Sequence, residues 1–329
     1  MVERFRSPQL WFAVSFLALL ALVPVIAALI GQPYYVTLFT RITVFGLAAV
    51  GLNLILGFGG LVSFGHALYI GIGAYAVAIL TYHGITSGYA HLGAALAVGA
   101  VSAVLIGLVC LRASGIAFIM ITLAFAQMFY FLAVGLRQYG GDDGLAIPSR
   151  SDFGVLKLDN PFVLYYLSLA LLALTLYGFQ RAVHSRFGMV LRGCRSNERR
   201  MIALGFPTLR YKLVAYVVSA LVCVIAGVLL GNLTRYASPA YMQWIASGDL
   251  IVMIVFGGMT TLLGPVVGSA AIVGLEELLT GMRLGLPFGL DGIVNAHWMA
   301  LLGVLIILVV QTLKQGLYGS LAARGRRPA

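Results

Sequence analysis

The sequence predicts an all-α polytopic membrane protein of about ten transmembrane helices, and three observations carry that expectation. The chain of 329 residues is 61% hydrophobic and only 9% charged, whereas soluble domains carry about 25% charged residues. Its apolar residues run continuously over roughly 20 positions, the length that spans a bilayer as a helix. A β-barrel would show short alternating segments instead. The basic residues fall between the apolar runs, where they act as topology signals. The net charge of +11 therefore points to anionic lipid headgroups and not to nucleic acid.

Taken in order, Leu10 to Ile30 is the first apolar run, preceded by Arg4 and Arg6. It is too long for the apolar core of a cleaved signal peptide and reads as an uncleaved first span. The second run is Tyr35 to Leu56 and the third Leu61 to Leu80, with Gly57-Phe58-Gly59-Gly60 as a tight turn between them. Span four covers His91 to Leu111, span five Ile116 to Leu136, and span six Phe162 to Phe179. A polar loop, 137–161, separates spans five and six and carries Asp142, Asp143, Asp152 and Asp159. Span seven is Tyr211 to Leu230, followed by a polar connection from Arg235 to Ser247. Leu250 to Leu279 is interrupted at Gly257-Gly258 and Gly264-Pro265 and reads either as one kinked helix or as two short ones. A loop from Arg283 to Asn295 leads to the last run, His297 to Val310.

Charge decides the count. With the interrupted stretch taken as two spans, fifteen of the 21 Lys and Arg fall on one side and five on the other, with Arg41 inside a span. Nine spans would put the basic tail outside, against the positive-inside rule. The expected layout is six spans in residues 1–180, including a periplasmic loop 137–161. A cytoplasmic loop 181–210 follows, then four spans in 211–313 and a basic cytoplasmic tail 314–329. Both termini are cytoplasmic in this layout. The segment from Arg181 to Lys212 holds eight Lys and Arg and a single carboxylate, Glu198. A generic positive-inside loop explains that charge. It does not explain the segment's length, or the polar stretch Arg195-Ser196-Asn197-Glu198 ahead of Gly205.

Seven glycines lie between Gly51 and Tyr75, together with the polar groups Asn53, Ser63 and His66. Polar groups inside a membrane are expensive and face either a partner or a wet cavity. Glycine-loosened backbone there can offer free N–H and C=O groups to a ligand. Asn53, Gly57, Gly59, Gly60, Ser63, Gly65 and His66 are therefore the candidate substrate-pathway residues. The competing reading makes Asn53 and Ser63 interhelical hydrogen-bonders and leaves His66 near the cytoplasmic interface. Ser63 and His66 also suggest a hydrolase pair, but no GxSxG elbow or positioned acid accompanies them. The GxxxG pairs Gly227/Gly231 and Gly264/Gly268 read as helix packing, and Gly285/Gly289 falls in a loop. Arg41, Asp249, Glu276, Glu277 and His297 sit near outer span ends and are expected to snorkel to the interface.

Several chemistries have no carrier in the sequence. Cys110, Cys194 and Cys223 form no CxxC, and the five scattered His form no HExxH, so no disulfide and no metal site is expected. No Walker-type GxxxxGK[ST] occurs, so the chain is expected to bind no nucleotide and to be no enzyme. There is no regular Arg series and no TVGYG filter.

Three blocks carry a resemblance to a known family: Gly51 to Leu80, Gly115 to Met128 with the following GGDDGL of Gly140 to Leu145, and Ser185 to Ala220. Together they resemble the permease subunits of branched-chain amino-acid ABC importers, the LivH/LivM family, and on the LivM-type side of that pair. The resemblance implies that loop 181–210 is the coupling loop that docks on an ATPase. Arg195, Asn197, Glu198, Ala203 and Gly205 match the family's version of it, whereas Arg199, Arg200, Met201 and Phe206-Pro207 depart from the pattern. Glu198 would begin or lie on a short helix that Gly205 ends. The resemblance further implies a LivH-like second permease, two ATPase subunits that use the ATP, and a periplasmic binding protein. It places the chain in a bacterial inner membrane. Two alternatives stay open: an ABC permease for urea or short amides, and a self-sufficient ion-coupled transporter, which should show paired intramembrane acids and an inverted repeat.

Overall fold

The computed structural model describes residues 8–154, 158–281, 298–312 and 316–319. Arg4, Arg6, Lys157, Arg283, the Gly285/Gly289 pair, His297, Lys314 and the tail arginines Arg324, Arg326 and Arg327 lie outside the described residues.

Among the described residues six helices precede the basic segment: α1 Pro8–Ile30, α2 Tyr34–Asn53, α3 His66–Tyr82, α4 Gly88–Cys110, α5 Ile116–Gly135 and α6 Pro161–Val183. The basic segment itself forms α7, Arg186–Ala203. Among the described residues four helices follow it: α8 Thr208–Thr234, α9 Trp244–Gly257, α10 Gly264–Gly281 and α11 Trp298–Thr312. Helix α2 continues through a π-turn, Leu54–Phe58. Among the described residues five helices are long and apolar enough to cross a membrane: α2 with its π-turn, α4, α5, α6 and α8. The chain is a mostly helical, multi-pass membrane protein.

Helices α2, α3 and α8 form the centre. The apolar window of α2 is 89% buried within the chain, against 22% for α5, which faces outward. Small residues set how closely the central helices approach, as expected where packing and not water drives association. A Cβ on Gly73 or on Gly227 would collide with the backbone of the facing helix, so α3 and α8 touch main chain to main chain. The Gly227/Gly231 pair is therefore a packing surface. Against α2, Ser219 Oγ of α8 donates to the Gly51 carbonyl at 2.6 Å, and Thr43 Oγ1 meets Ser168 Oγ of α6 at 2.8 Å.

The interrupted stretch forms two helices. Met253 of α9 lies against Gly268 of α10 and Gly257 lies against Gly264, so α9 and α10 fold back on each other as an antiparallel hairpin. Its tip is Gly258 to Leu263. Thr261 Oγ1 accepts from the Gly264 N–H at 3.0 Å, which caps α10.

Helix α10 runs antiparallel beside α2, and this corrects the expectation for the acidic residues. Arg41 pairs with Glu276 at 3.2 Å and Tyr34 hydrogen-bonds Glu277. Cross-helix neutralisation replaces separate snorkelling because paired charges cost less near lipid than isolated ones.

A second correction concerns the third span. It begins at His66, not at Leu61, and the break before it runs from Gly59 to Gly65 instead of forming a four-residue turn. Side-chain hydroxyls compete for the backbone there. The Phe64 N–H donates to Thr122 Oγ1 at 3.2 Å and the Gly65 N–H to Ser63 Oγ at 3.2 Å, while Ser247 Oγ accepts from the Ala67 N–H at 2.9 Å.

At the far end of the bundle the polar loop packs over the helices. Strand β1, Leu145–Ala146, pairs antiparallel with β2, Tyr236–Ala237. Arg150 donates to the carbonyls of Asn232, Leu158 and Asp159, each at 2.9 Å. His91 joins Ser151 Oγ and the Ile85 carbonyl, both at 2.7 Å.

Candidate functional site

The break after α2 exists because the sequence runs out of helix-compatible residues. Gly59 and Gly60 follow the π-turn, and Gly60 holds φ +71, a conformation that side-chain-bearing residues avoid. A π-turn spaces its carbonyls differently from an α-helix, and such turns occur frequently at functional sites. Here the Ile55 and Leu56 carbonyls accept from Leu61 and Gly60 at 2.9 and 3.2 Å. The next carbonyl, that of Gly57, points to a side chain from elsewhere.

That side chain is Arg195 of α7, whose guanidinium donates to the Gly57 carbonyl. Its stem crosses the break so closely that a Cβ on Gly60 would stand 2.7 Å from Arg195 Cγ. A charge-assisted hydrogen bond of this kind is worth about 1.5–3 kcal/mol. On the other flank of the π-turn, Asn53 Nδ2 donates to the Thr261 carbonyl in the hairpin tip at 2.8 Å. A Cβ on Gly57 would collide with the Met259 carbonyl, so the tip rests directly on the turn. Gly316 also abuts the tip, at Gly258. Arg195 of the coupling-type residues and Asn53, Gly57 and Gly60 of the pathway-type residues therefore form one cluster with the hairpin tip.

Helix α7 is amphipathic. Gly188, Val190, Leu191 and Cys194 are buried, while Arg192, Arg195, Arg199 and Arg200 face outward. It is two helices joined at Asn197, whose backbone is extended at φ −160 and ψ 100. Asn197 Oδ1 accepts from the Arg200 N–H at 3.0 Å and so caps the second part, as an N-cap Asn does. Gly205 closes that part at φ +85, with the Gly205 and Phe206 N–H groups bonded back to Ile202 and Met201. This is the Schellman arrangement, and it requires a residue tolerant of positive φ. The short helix beginning near Glu198 and ending at Gly205 is thus present, but as the second half of a longer helix where a loop was expected.

Glu198 turns inward. Its carboxylate meets Lys212 Nζ at 2.5 Å, and the Lys212 side chain is only 10% exposed. The pair fastens the second half of α7 to the base of α8. Ala203 and Gly205 lie on the exposed end of the helix, beside Ile202 at 57%, Leu204 at 65% and Phe206 at 38% exposure. Sequence reasoning overlooked these three apolar residues, and also Lys212 and Thr261 as partners. The only available signal was the departure at Phe206-Pro207 and the glycine break around Thr261.

The remaining pathway-type residues sit deeper. Asn53, Gly57, Gly59, Ser63, Gly65 and His66 are buried, and Gly60 alone among them is exposed. Ser63 Oγ meets His66 Nδ1 at 2.9 Å. The His66 ring lies edge-on to Tyr69 and Tyr216, whose hydroxyls meet at 3.2 Å. The Ser–His contact suggested by the sequence is real. It is sealed in an aromatic cluster, and among the described residues His66 Nε2 has no hydrogen-bond partner, so no described acid orients the ring. Asn53 Oδ1 is likewise buried without a partner. Such atoms cost about 1–3 kcal/mol each unless another state satisfies them. Among the described residues no three His, Cys, Asp or Glu stand together as a metal site.

The comparisons with known proteins follow this geometry. Residues 34–310 match the family model described as the branched-chain amino acid transport system / permease component. The chain is 25% identical over 302 residues to the high-affinity branched-chain amino acid transport system permease protein LivM of Salmonella typhimurium, covering 84% of this chain and 68% of that protein. LivM of Escherichia coli matches to the same extent. LivH of Escherichia coli is 26% identical over 288 residues, covering 82% of this chain and 90% of that protein. No solved structure matches. With the family model spanning most of its length, the chain belongs to the permease components of branched-chain amino acid transport systems, as a permease subunit of an importer and not a self-sufficient transporter.

Proposed function

We propose that this chain forms one half of the translocation pathway of an ABC importer in a bacterial inner membrane, carrying branched-chain or related amino acids. Its other half is a LivH-like permease. Two ATPase subunits supply the energy, and a periplasmic binding protein delivers the substrate. The chain itself uses no cofactor, holds lipid on its outer faces and binds no nucleic acid. In this reading all ten helices other than α7 cross the membrane, six before it and four after, and both termini are cytoplasmic. The α9–α10 hairpin is spans eight and nine.

The observation that carries the reading is the end of α7. Three apolar side chains, Ile202, Leu204 and Phe206, stand exposed beside Arg199 and Arg200 on a segment outside the bundle. Apolar groups displayed on a charged, water-facing end mark a docking surface. An ATPase cleft with acidic walls and an apolar floor is the occupant that complements it. Asn197 and Gly205 shape this end, Ala203 leaves it room, and Glu198 holds it to α8. The pathway follows the glycine-rich break, where Asn53, Gly57, Gly59, Gly60, Ser63, Gly65 and His66 shape an inner boundary. A leucine-like zwitterion requires an apolar surface and a few backbone dipoles, and this stretch supplies both.

The test is reconstitution of the chain with its second permease, ATPases and binding protein in vesicles. ATP-dependent leucine uptake is expected, with urea and acetamide as competing substrates. Uptake of urea in place of leucine would reassign the substrate, and pumping by the chain alone would reject the reading. Sidedness is read with Ser196→Cys, expected to label only from the cytoplasm, and Asp143→Cys, expected to label only from outside. Background is low because the three native cysteines are buried and free, and burial pushes the Cys194 thiol up.

A further inference from the structure

We infer that Arg195 is a positioning residue that carries movement of α7 into the hairpin tip. This rests on the importer reading and names the mechanical link within it. Three contacts join into one path. The Arg195 guanidinium is bonded to the Gly57 carbonyl, and its stem lies across Gly60 with no room for a side chain between them. Gly57 in turn carries the Met259 carbonyl directly on its Cα, where a Cβ would collide. One turn earlier, Asn53 Nδ2 holds the Thr261 carbonyl at 2.8 Å.

Close contacts without intervening side chains transmit displacement instead of absorbing it, because packed interiors do not deform continuously. The π-turn and the tip must therefore shift together. The backbone on either side of this contact leaves the helical ladder. Gly59 to Gly65 is non-helical, and Gly258, at φ +125, begins a turn between two helices. Arg195 is the one described side chain of α7 that hydrogen-bonds the α2 break. It sits two residues before the Asn197 kink, so the docking half of α7 and the Arg195 half meet at a hinge. When an ATPase moves the docking end, Arg195 draws or releases the Gly57 carbonyl, and the α9–α10 tip opens or closes the inner mouth of the path. The occupant of that mouth is the transported amino acid.

The experiment measures substrate uptake and ATP consumption together in vesicles holding the complete complex. Uptake by the wild-type complex confirms the importer reading, and its absence removes that reading and this one together. With wild-type uptake in place, Arg195→Ala is expected to raise the ATP consumed per substrate imported at least tenfold, and Arg195→Lys to recover part of the coupling. An unchanged ratio in Arg195→Ala overturns the inference and leaves the importer reading standing. Loss of the ATPases from the purified Arg195→Ala complex would also overturn it, because Arg195 would then be a docking residue. Should Arg195→Ala fail to insert, Asn53→Ala cuts the same path at its far end with Arg195 intact. It is expected to raise the ratio likewise, and an unchanged ratio there overturns the inference.

Discussion

The two ends of the bundle are built differently. At the end carrying loop 137–161, backbone and side chains are knitted together. The β1–β2 pair, the three-carbonyl grip of Arg150, and both ring nitrogens of His91 tie α4, α8 and the loop to one another. At the end carrying α7, the break and the hairpin tip are joined by single bonds: Arg195 to Gly57, Asn53 to Thr261, and Glu198 to Lys212. Among the described residues three buried atoms lack partners, Asn53 Oδ1 and His66 Nε2 on this side and Tyr75 Oη toward the loop, so the difference lies in how many bonds hold each end. Elements held by several bonds at once are stiffer, whereas singly held elements can exchange partners. The contrast assigns the fixed frame to one end of the protein and the moving parts to the other.

The largest expected effect tests the moving end. Glu198→Arg sets a second cation against the nearly buried Lys212 and should lower ATP-driven uptake more than tenfold, while insertion and permease pairing persist. The double variant Glu198→Arg/Lys212→Glu should restore a large part of it, since the pair is then reversed and not broken. Uptake at the wild-type level in Glu198→Arg vesicles would show that the fastening is dispensable.

His66→Ala comes next. It removes a ring packed against Tyr69 and Tyr216, and uptake should fall severalfold, with a raised half-saturating substrate concentration if the ring borders the path. If affinity and rate both stay as they are, His66 only fills space.

For the fixed end, Arg150→Ala strands three carbonyls. Its guanidinium is already pulled down by burial and by Arg235, so the bonds are made in a partly shielded site. Losing them should cost about 3 kcal/mol of stability. Thermal unfolding in detergent would record this as a lower midpoint, with little change in ATP consumed per substrate. A strong change in that ratio would break the contrast between the two ends.

The smallest effect belongs to Asn197→Ala, which removes the cap of the second half of α7. About 1 kcal/mol is expected. Hydrogen exchange should show faster exchange confined to residues 198–203, and Asn197→Asp should keep the protection.

Much of the fold was legible along the chain. Apolar runs predicted the helices, and the boundaries of α4 and α5 fell within a few residues of the expected ones. The glycine pairs at Gly257-Gly258 and Gly264-Pro265 marked an interruption, although they left open whether it was a kink or a hairpin. The start of α3 was misjudged because Leu61 and Val62 are apolar. What withholds them from the helix is the competition of Thr122 and Ser63 for the neighbouring N–H groups. Of the candidate site, Gly205 was legible in role, as capping is local, whereas the cap formed by Asn197 emerged only in the structure. Glu198 was legible in position only. Its direction depends on Lys212, which the same stretch contains but which α8 orients.

By itself, then, the sequence determined which segments are apolar and helical, where the basic residues gather, and that the basic segment carries a helix closed at Gly205. Those properties follow from residues a few positions apart, because hydropathy, charge bias and capping act over one turn or one span. Only the tertiary structure decided that the break after α2, the hairpin tip and α7 meet. Arg195 reaches Gly57 across 138 positions and Asn53 reaches Thr261 across 208, and the acceptor each time is a backbone carbonyl. Every residue has that group, so no pattern of side chains announces which one will be left open by a π-turn or a bend.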